Sequence, residues 1–183
     1  FNMLKLICIV IGEYMSYILA ITSYDNFVIN TLSKLSNYNI LFTKIFQWSC
    51  GNNMMTDKIK QYVNSFTNNA PYNENDIDYK SLLGLALAVN NNNSKLEIEN
   101  IKTPANSGSI SLIFNAKLDN KPVVIKILRK NISNTINDGI DLLVTMGKIS
   151  RYIPKLSVFM FDKLIKKNKS HLFNQINFCD EVK

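Results

Sequence analysis

The period of the hydrophobic pattern changes twice along this chain, and those changes restrict its architecture more than any single motif does. Over about residues 1–90, apolar side chains recur at spacings of three and four, as in Leu32 and Leu35 and then Ile40, Leu41 and Ile45. That is the pattern of helices with one buried face. Breakers at Asn52-Asn53 and Ala70-Pro71 divide the region, and Tyr79–Val89 predicts a short apolar helix closed by the loop-forming run Asn90-Asn91-Asn92-Asn93. From about residue 96 the period falls to two. Leu96-Glu97-Ile98-Glu99-Asn100-Ile101 alternates, and Ile110, Leu112, Phe114 and Ala116 alternate again through Leu118. Turn chemistry follows in Asp119-Asn120-Lys121-Pro122, and then Val123-Val124-Ile125-Lys126-Ile127-Leu128, a β-branched run with one lysine that reads as buried. These strands predict an antiparallel meander. A helical pattern returns over Asn134–Ser150, and Pro154 breaks it. A last helix from about Val158 carries the stripe Phe161, Leu164, Ile165, Leu172 and Ile176. The expected fold class is α+β, with a helical extension over residues 1–95 and a sheet followed by a long helix over 96–183.

Composition narrows the chemistry. The chain has 21 basic and 14 acidic residues, a net charge of +7 that permits contact with phosphates or an anionic membrane surface without demanding either. The lysines are scattered except for Lys163, Lys166, Lys167 and Lys169, which read as a solvated helix face. No aromatic residues interleave with them, so no nucleic-acid partner is expected. Cys8, Cys50 and Cys179 form no CxxC pair, and His171 is the one histidine. A zinc site needs about four closely spaced ligands, so reduced, mostly buried thiols in an intracellular compartment and a surface histidine are expected. The apolar start from Phe1 to Ile11 is interrupted by Glu13, which predicts an amphipathic or buried helix rather than a transmembrane one. A start on Phe1 also suggests a partial sequence.

Two features bear on function. Asn106-Ser107-Gly108-Ser109, within Pro104–Ser109, is a loop of small residues between strands, where backbone N–H groups can approach a phosphate closely. With one glycine, it matches neither GxGxxG nor the Walker A pattern, and a tight strand connection is the competing reading. Lys126 lies downstream in Val-Val-Ile-Lys. In protein kinases a strand lysine of this kind reaches the α- and β-phosphates of ATP and pairs with a helix glutamate. A buried ammonium needs an anion, and Glu181 on the last helix can supply one. The alternative is an edge-strand lysine pointing at solvent.

PANSGSISLIFNAKL, from Pro104 to Leu118, resembles the UbiB/ADCK/AarF stretch in which a proline precedes an alanine-rich loop ending in serine and leads into a strand. Val123–Arg129, VVIKILR, resembles that family's lysine strand, with Lys130 where a proline usually follows. Lys44-Ile45-Phe46-Gln47 is similar to the KxGQ signature, with Phe46 in place of glycine. Gln175-Ile176-Asn177-Phe178 with Glu181 is similar to the ExD segment and the helix glutamate after it. Together these motifs span residues 40–183.

The resemblance implies a protein-kinase-like N-lobe carrying a KxGQ-like helical extension, from an atypical kinase or ATPase family tied to ubiquinone and isoprenoid-lipid metabolism at membranes. It implies ATP as ligand, held by Lys126, oriented by Glu181 and covered by Asn106, Ser107, Gly108 and Ser109, with Lys44 and Gln47 shaping the pocket. A peripheral membrane or lipid contact and a protein partner are also implied. The departures carry weight. Gln175 and Asn177 are neutral amides where the family has acids, so a charge pair from Lys44 is lost and a hydrogen bond is what remains. The loop gains a glycine and polar donors, which should make it more flexible and more accommodating to phosphate. The family's catalytic loop and Mg²⁺-binding aspartate belong to a C-lobe, expected to be absent after Lys183. Phosphoryl transfer is therefore not expected from this polypeptide alone. A non-catalytic, pseudokinase-like interaction module is the rival reading.

Overall fold

The computed structural model describes residues 2–49, 55–92, 94–150 and 173–174. Among them are six α-helices and a four-stranded antiparallel sheet, a mixed α+β architecture consistent with a kinase-like N-lobe bearing a helical extension. They fall into two compact units, one built from residues up to Phe42 together with those from Ser133 onward, the other from Thr43–Ile132.

In the first unit, helices α1 (Asn2–Ile18) and α2 (Tyr24–Tyr38) form a hairpin. The chain turns at Ala20, whose φ of 57° is left-handed, and α2 starts where the Ser23 hydroxyl accepts the Asn26 N–H at 3.3 Å. Leu6, Leu32 and Leu35 are buried, and Tyr17 stacks on Phe27 with ring centroids 5.4 Å apart. Glu13, which interrupts the apolar start, is buried and paired with Lys34. A second element of this unit is α6 (Ile132–Ser150), which buries Ile136, Ile140 and Leu143 at helical spacing. The Asn39–Leu41 turn sits close against it, with Asn39 Nδ2 donating to the Thr135 carbonyl at 2.9 Å. A Cβ on Gly139 would come within 2.8 Å of Leu41 Cδ2 and 2.9 Å of Asn39 Oδ1, so this approach requires glycine.

The second unit contains the sheet. Its central strand β3 (Ser111–Leu118) pairs along its whole length with β4 (Lys121–Leu128). The other edge of β3 carries two short strands, β1 (Leu96–Ile98) at one end and β2 (Asn106–Ser107) at the other. The expected meander is thus present, with its first strand interrupted between Glu99 and Ala105. Asp119 and Asn120, with φ of 48° and 65°, make the two-residue turn that joins β3 to β4. One sheet face is closed by Leu112, Phe114, Ala116, Ile125 and Ile127, packed with Ile77 and Leu82. Leu82 lies on α5 (Tyr79–Asn90), capped by the Asp78 carboxylate on the Ser81 N–H at 3.1 Å. Helices α3 (Leu41–Ser49) and α4 (Asp57–Ser65) precede it, with Ile59 and Val63 of α4 buried.

The predicted last helix lies outside the described residues, apart from Phe173 and Asn174, which are helical. The lysine cluster at 163–169, His171, Cys50 and Cys179 lie outside them as well. Cys8 is exposed rather than buried, because its position on α1 falls away from the face carrying Leu6.

Candidate functional site

β-Sheet register decides which side chains share a face. Asn106 is paired with Ile113, and Ile113 with Lys126. Paired residues project to the same side, so these three form one row across β2, β3 and β4, on the face opposite the hydrophobic core. Val124, two residues from Lys126, is on that face too and is 68% exposed. The next row, Ser107, Leu112 and Ile127, is buried.

Lys126 is exposed, which corrects the sequence reading of a buried lysine. Alternation explains the error. In an uninterrupted β-branched run the buried positions are ambiguous, and here they are Ile125 and Ile127. Desolvation therefore does not force an anion onto Lys126, and its placement in the row is what bears on function.

The small-residue loop is held from beneath. The Ser107 N–H donates to the Asn68 carbonyl at 2.9 Å, and its hydroxyl donates to the Ala70 carbonyl at 2.7 Å. The Ala70 N–H returns a bond to the Ser107 carbonyl at 2.7 Å. The Gly108 N–H donates to the Ser111 carbonyl at 2.9 Å, closing the turn into β3. A Cβ on Gly108 would lie 3.3 Å from that carbonyl, so the turn leaves little room for a side chain. Asn106 is exposed, whereas Ser109 is buried. Alongside the loop a cleft of about 340 Å3 opens between residues 69–72 and 104–107.

Arg129 organises this arrangement, and the sequence reading gave it no role. Only 4% exposed, it donates from Nε and Nη2 to the Gly108 carbonyl at 3.0 and 2.8 Å, and from Nη2 to the Ser107 hydroxyl at 2.9 Å. Its Nη1 meets Asp76 Oδ2 at 2.8 Å. Burial lowers the guanidinium pKa, and Asp76 opposes that shift. Asp76 Oδ2 also accepts the Asn73 N–H at 3.0 Å, and its carbonyl accepts the Lys130 N–H at 2.8 Å. The sequence held a signal: Arg129 continues the buried register of Ile125 and Ile127, where an arginine requires an acidic partner.

Lys44 and Gln47 stand three residues apart on α3, hence on one helix face, and both are half-buried. Burial lowers the Lys44 pKa. Glu181, Gln175 and Asn177 lie outside the described residues. Among the described residues no group of His, Cys, Asp and Glu is placed to hold a metal ion, so no step is assigned to Mg²⁺. No helix among them is long and apolar enough to cross a membrane.

The family model of the ABC1 atypical kinase-like domain matches residues 89–183, more than half of the chain and the part that holds the sheet, the loop and the strand lysine. The chain belongs to the ABC1 atypical kinase-like family. A relative within reach of this assignment is the probable protein kinase UbiB of Blochmanniella pennsylvanica, 33% identical over 82 residues. That match covers 43% of this chain and 15% of the relative's length. No solved structure matches the chain.

Proposed function

We propose that this chain carries the nucleotide-binding N-lobe of a UbiB-type atypical kinase or ATPase, with residues 1–95 as its helical extension and 96–183 as the lobe itself. The observation that carries this reading is the row Asn106, Ile113 and Lys126 on the open face of the sheet. Neighbouring strands lie about 4.8 Å apart, so the loop residue and the lysine stand about 10 Å apart, a span suited to a polyphosphate. Lys126 would meet the α- and β-phosphates, with the loop covering them and Glu181 orienting the lysine. Lys44 and Gln47 would shape the pocket from the extension. ATP with Mg²⁺ is the proposed ligand pair, with the metal held by groups other than the described residues. Phosphoryl transfer in ubiquinone or isoprenoid-lipid metabolism, at the periphery of a membrane, is the proposed role of the complete protein.

Neutral Gln175 and Asn177, together with Phe46 in the KxGQ-like motif, favour a second reading, a pseudokinase-like module that engages a protein partner. Calorimetric titration of Mg-ATP into the wild-type protein and its Lys126→Ala variant, both checked for intact fold, separates the two. The nucleotide reading expects binding by the first and a loss of at least tenfold in the second. Absence of binding by both selects the interaction module.

A further inference from the structure

The Arg129 clamp fixes more than the position of the loop. Gly108 has both backbone groups engaged, the N–H on the Ser111 carbonyl and the carbonyl on two guanidinium nitrogens. The peptide joining Gly108 to Ser109 is trans. In a planar trans peptide the C=O and the following N–H point in opposite directions. With the Gly108 carbonyl drawn onto Arg129, the Ser109 N–H is turned away from the guanidinium. Neither that N–H nor the Ser109 hydroxyl has a hydrogen-bond partner among the described residues, although Ser109 is only 7% exposed. The buried side-chain oxygens left without a partner among the described residues are those of Thr22, Ser36 and Thr43, not that of Ser109. The Ser109 hydroxyl therefore reaches solvent beside the exposed Asn106 and is open to an acceptor that arrives with a ligand.

We infer that Arg129 and Asp76 are positioning residues that hold the loop so that the Ser109 N–H and hydroxyl are presented to a phosphate group of the bound nucleotide. The inference deepens the nucleotide reading and rests on it. Three bonds from one side chain set the loop before any ligand arrives, so no ordering cost falls on the binding step. Asp76 anchors the guanidinium in turn, and through it the Asn73–Asp76 turn is tied to the loop. Lysine in place of Arg129 keeps the charge but loses the fork, which cannot then reach Asp76, Ser107 and Gly108 together.

The test compares two ligands, Mg-ATP and adenosine, on the full-length protein. Arg129→Lys is expected to weaken Mg-ATP about tenfold or more while leaving adenosine within about twofold, because adenosine carries no phosphate. Asp76→Asn, which retains an oxygen for Nη1, is the milder variant if Arg129→Lys does not fold, with an expected loss of a few-fold for Mg-ATP alone. Equal losses for both ligands would reduce the clamp to a general structural brace and overturn the inference. Unchanged Mg-ATP affinity in the folded variant would overturn it as well. Failure of the wild-type protein to bind Mg-ATP would remove the nucleotide reading itself, an outcome distinct from either.

Discussion

The two faces of the β3–β4 ribbon are built from alternate residues of the same strands, yet they obey different rules. On one face Leu112, Phe114, Ala116, Ile125 and Ile127 pack with Ile77 and Leu82, and little there tolerates change of volume. On the other, Ile113 and Lys126 stand in a row that ends on Asn106 of the small-residue loop, and Val124 shares that face. The first face specifies the fold. The second is the face proposed for the nucleotide, and the loop held by Arg129 borders it.

Phe114 and Val124 give the sharpest contrast. Phe114 is fully buried, so Phe114→Ala should cost about 3–5 kcal/mol in urea denaturation. Val124→Ala should change stability by no more than about 0.5 kcal/mol. Comparable costs at both sites would mean that the open face is packed in solution.

The clamp beneath the loop should be the next most sensitive place. Asp76→Ala strands the buried guanidinium of Arg129, and because the Asp76 side chain is itself 26% exposed, about 2 kcal/mol is expected rather than the larger cost of a fully buried pair. A denaturation midpoint that does not move would show that the pair contributes nothing to holding the loop.

Glycines extend the contrast between filled and open space. Gly139→Ala drives a methyl group into Leu41 and into an Asn39 side chain already fixed by two hydrogen bonds, so a loss of about 1–3 kcal/mol is expected. Gly84→Ala, in α5 with nothing within 4 Å of the new Cβ, should instead stabilise by about 0.5–1 kcal/mol. Thermal melts of the two variants should move in opposite directions.

A modest, pH-dependent effect belongs to the cap of α5. Hydrogen bonds from the Ser81 side chain and backbone hold the Asp78 carboxyl below its ordinary pKa. Its contribution is full above the unfolded-state value near ~4 and is lost as pH falls through the folded value. Asp78→Ala should cost about 1 kcal/mol at neutral pH and progressively less in acid. A penalty that stays constant down to the acid limit would contradict that assignment.

The periods of the sequence foretold the helix at Tyr79, the strand pairing and the turn at Asp119-Asn120, because each depends on local spacing and turn chemistry. The interruption between β1 and β2 was not legible, since it arises from two short segments sharing one edge of β3. Lys126 was placed in the right strand but on the wrong side, because Val123–Leu128 offers no polar alternation to set the face. The link from Arg129 to Asp76 joins residues 53 positions apart. Only the folded arrangement brings that acid under the loop, although the arginine in a buried register hinted that one was needed.

Labelling with an ATP acyl-phosphate probe, which transfers its acyl group to a lysine next to the bound phosphates, tests the central claim most directly. Mass spectrometry should find Lys126 modified in the wild-type protein, with labelling suppressed by excess Mg-ATP. Labelling of Lys126 that excess nucleotide does not suppress, or suppressible labelling confined to other lysines, would contradict the assignment of this sheet face to the nucleotide.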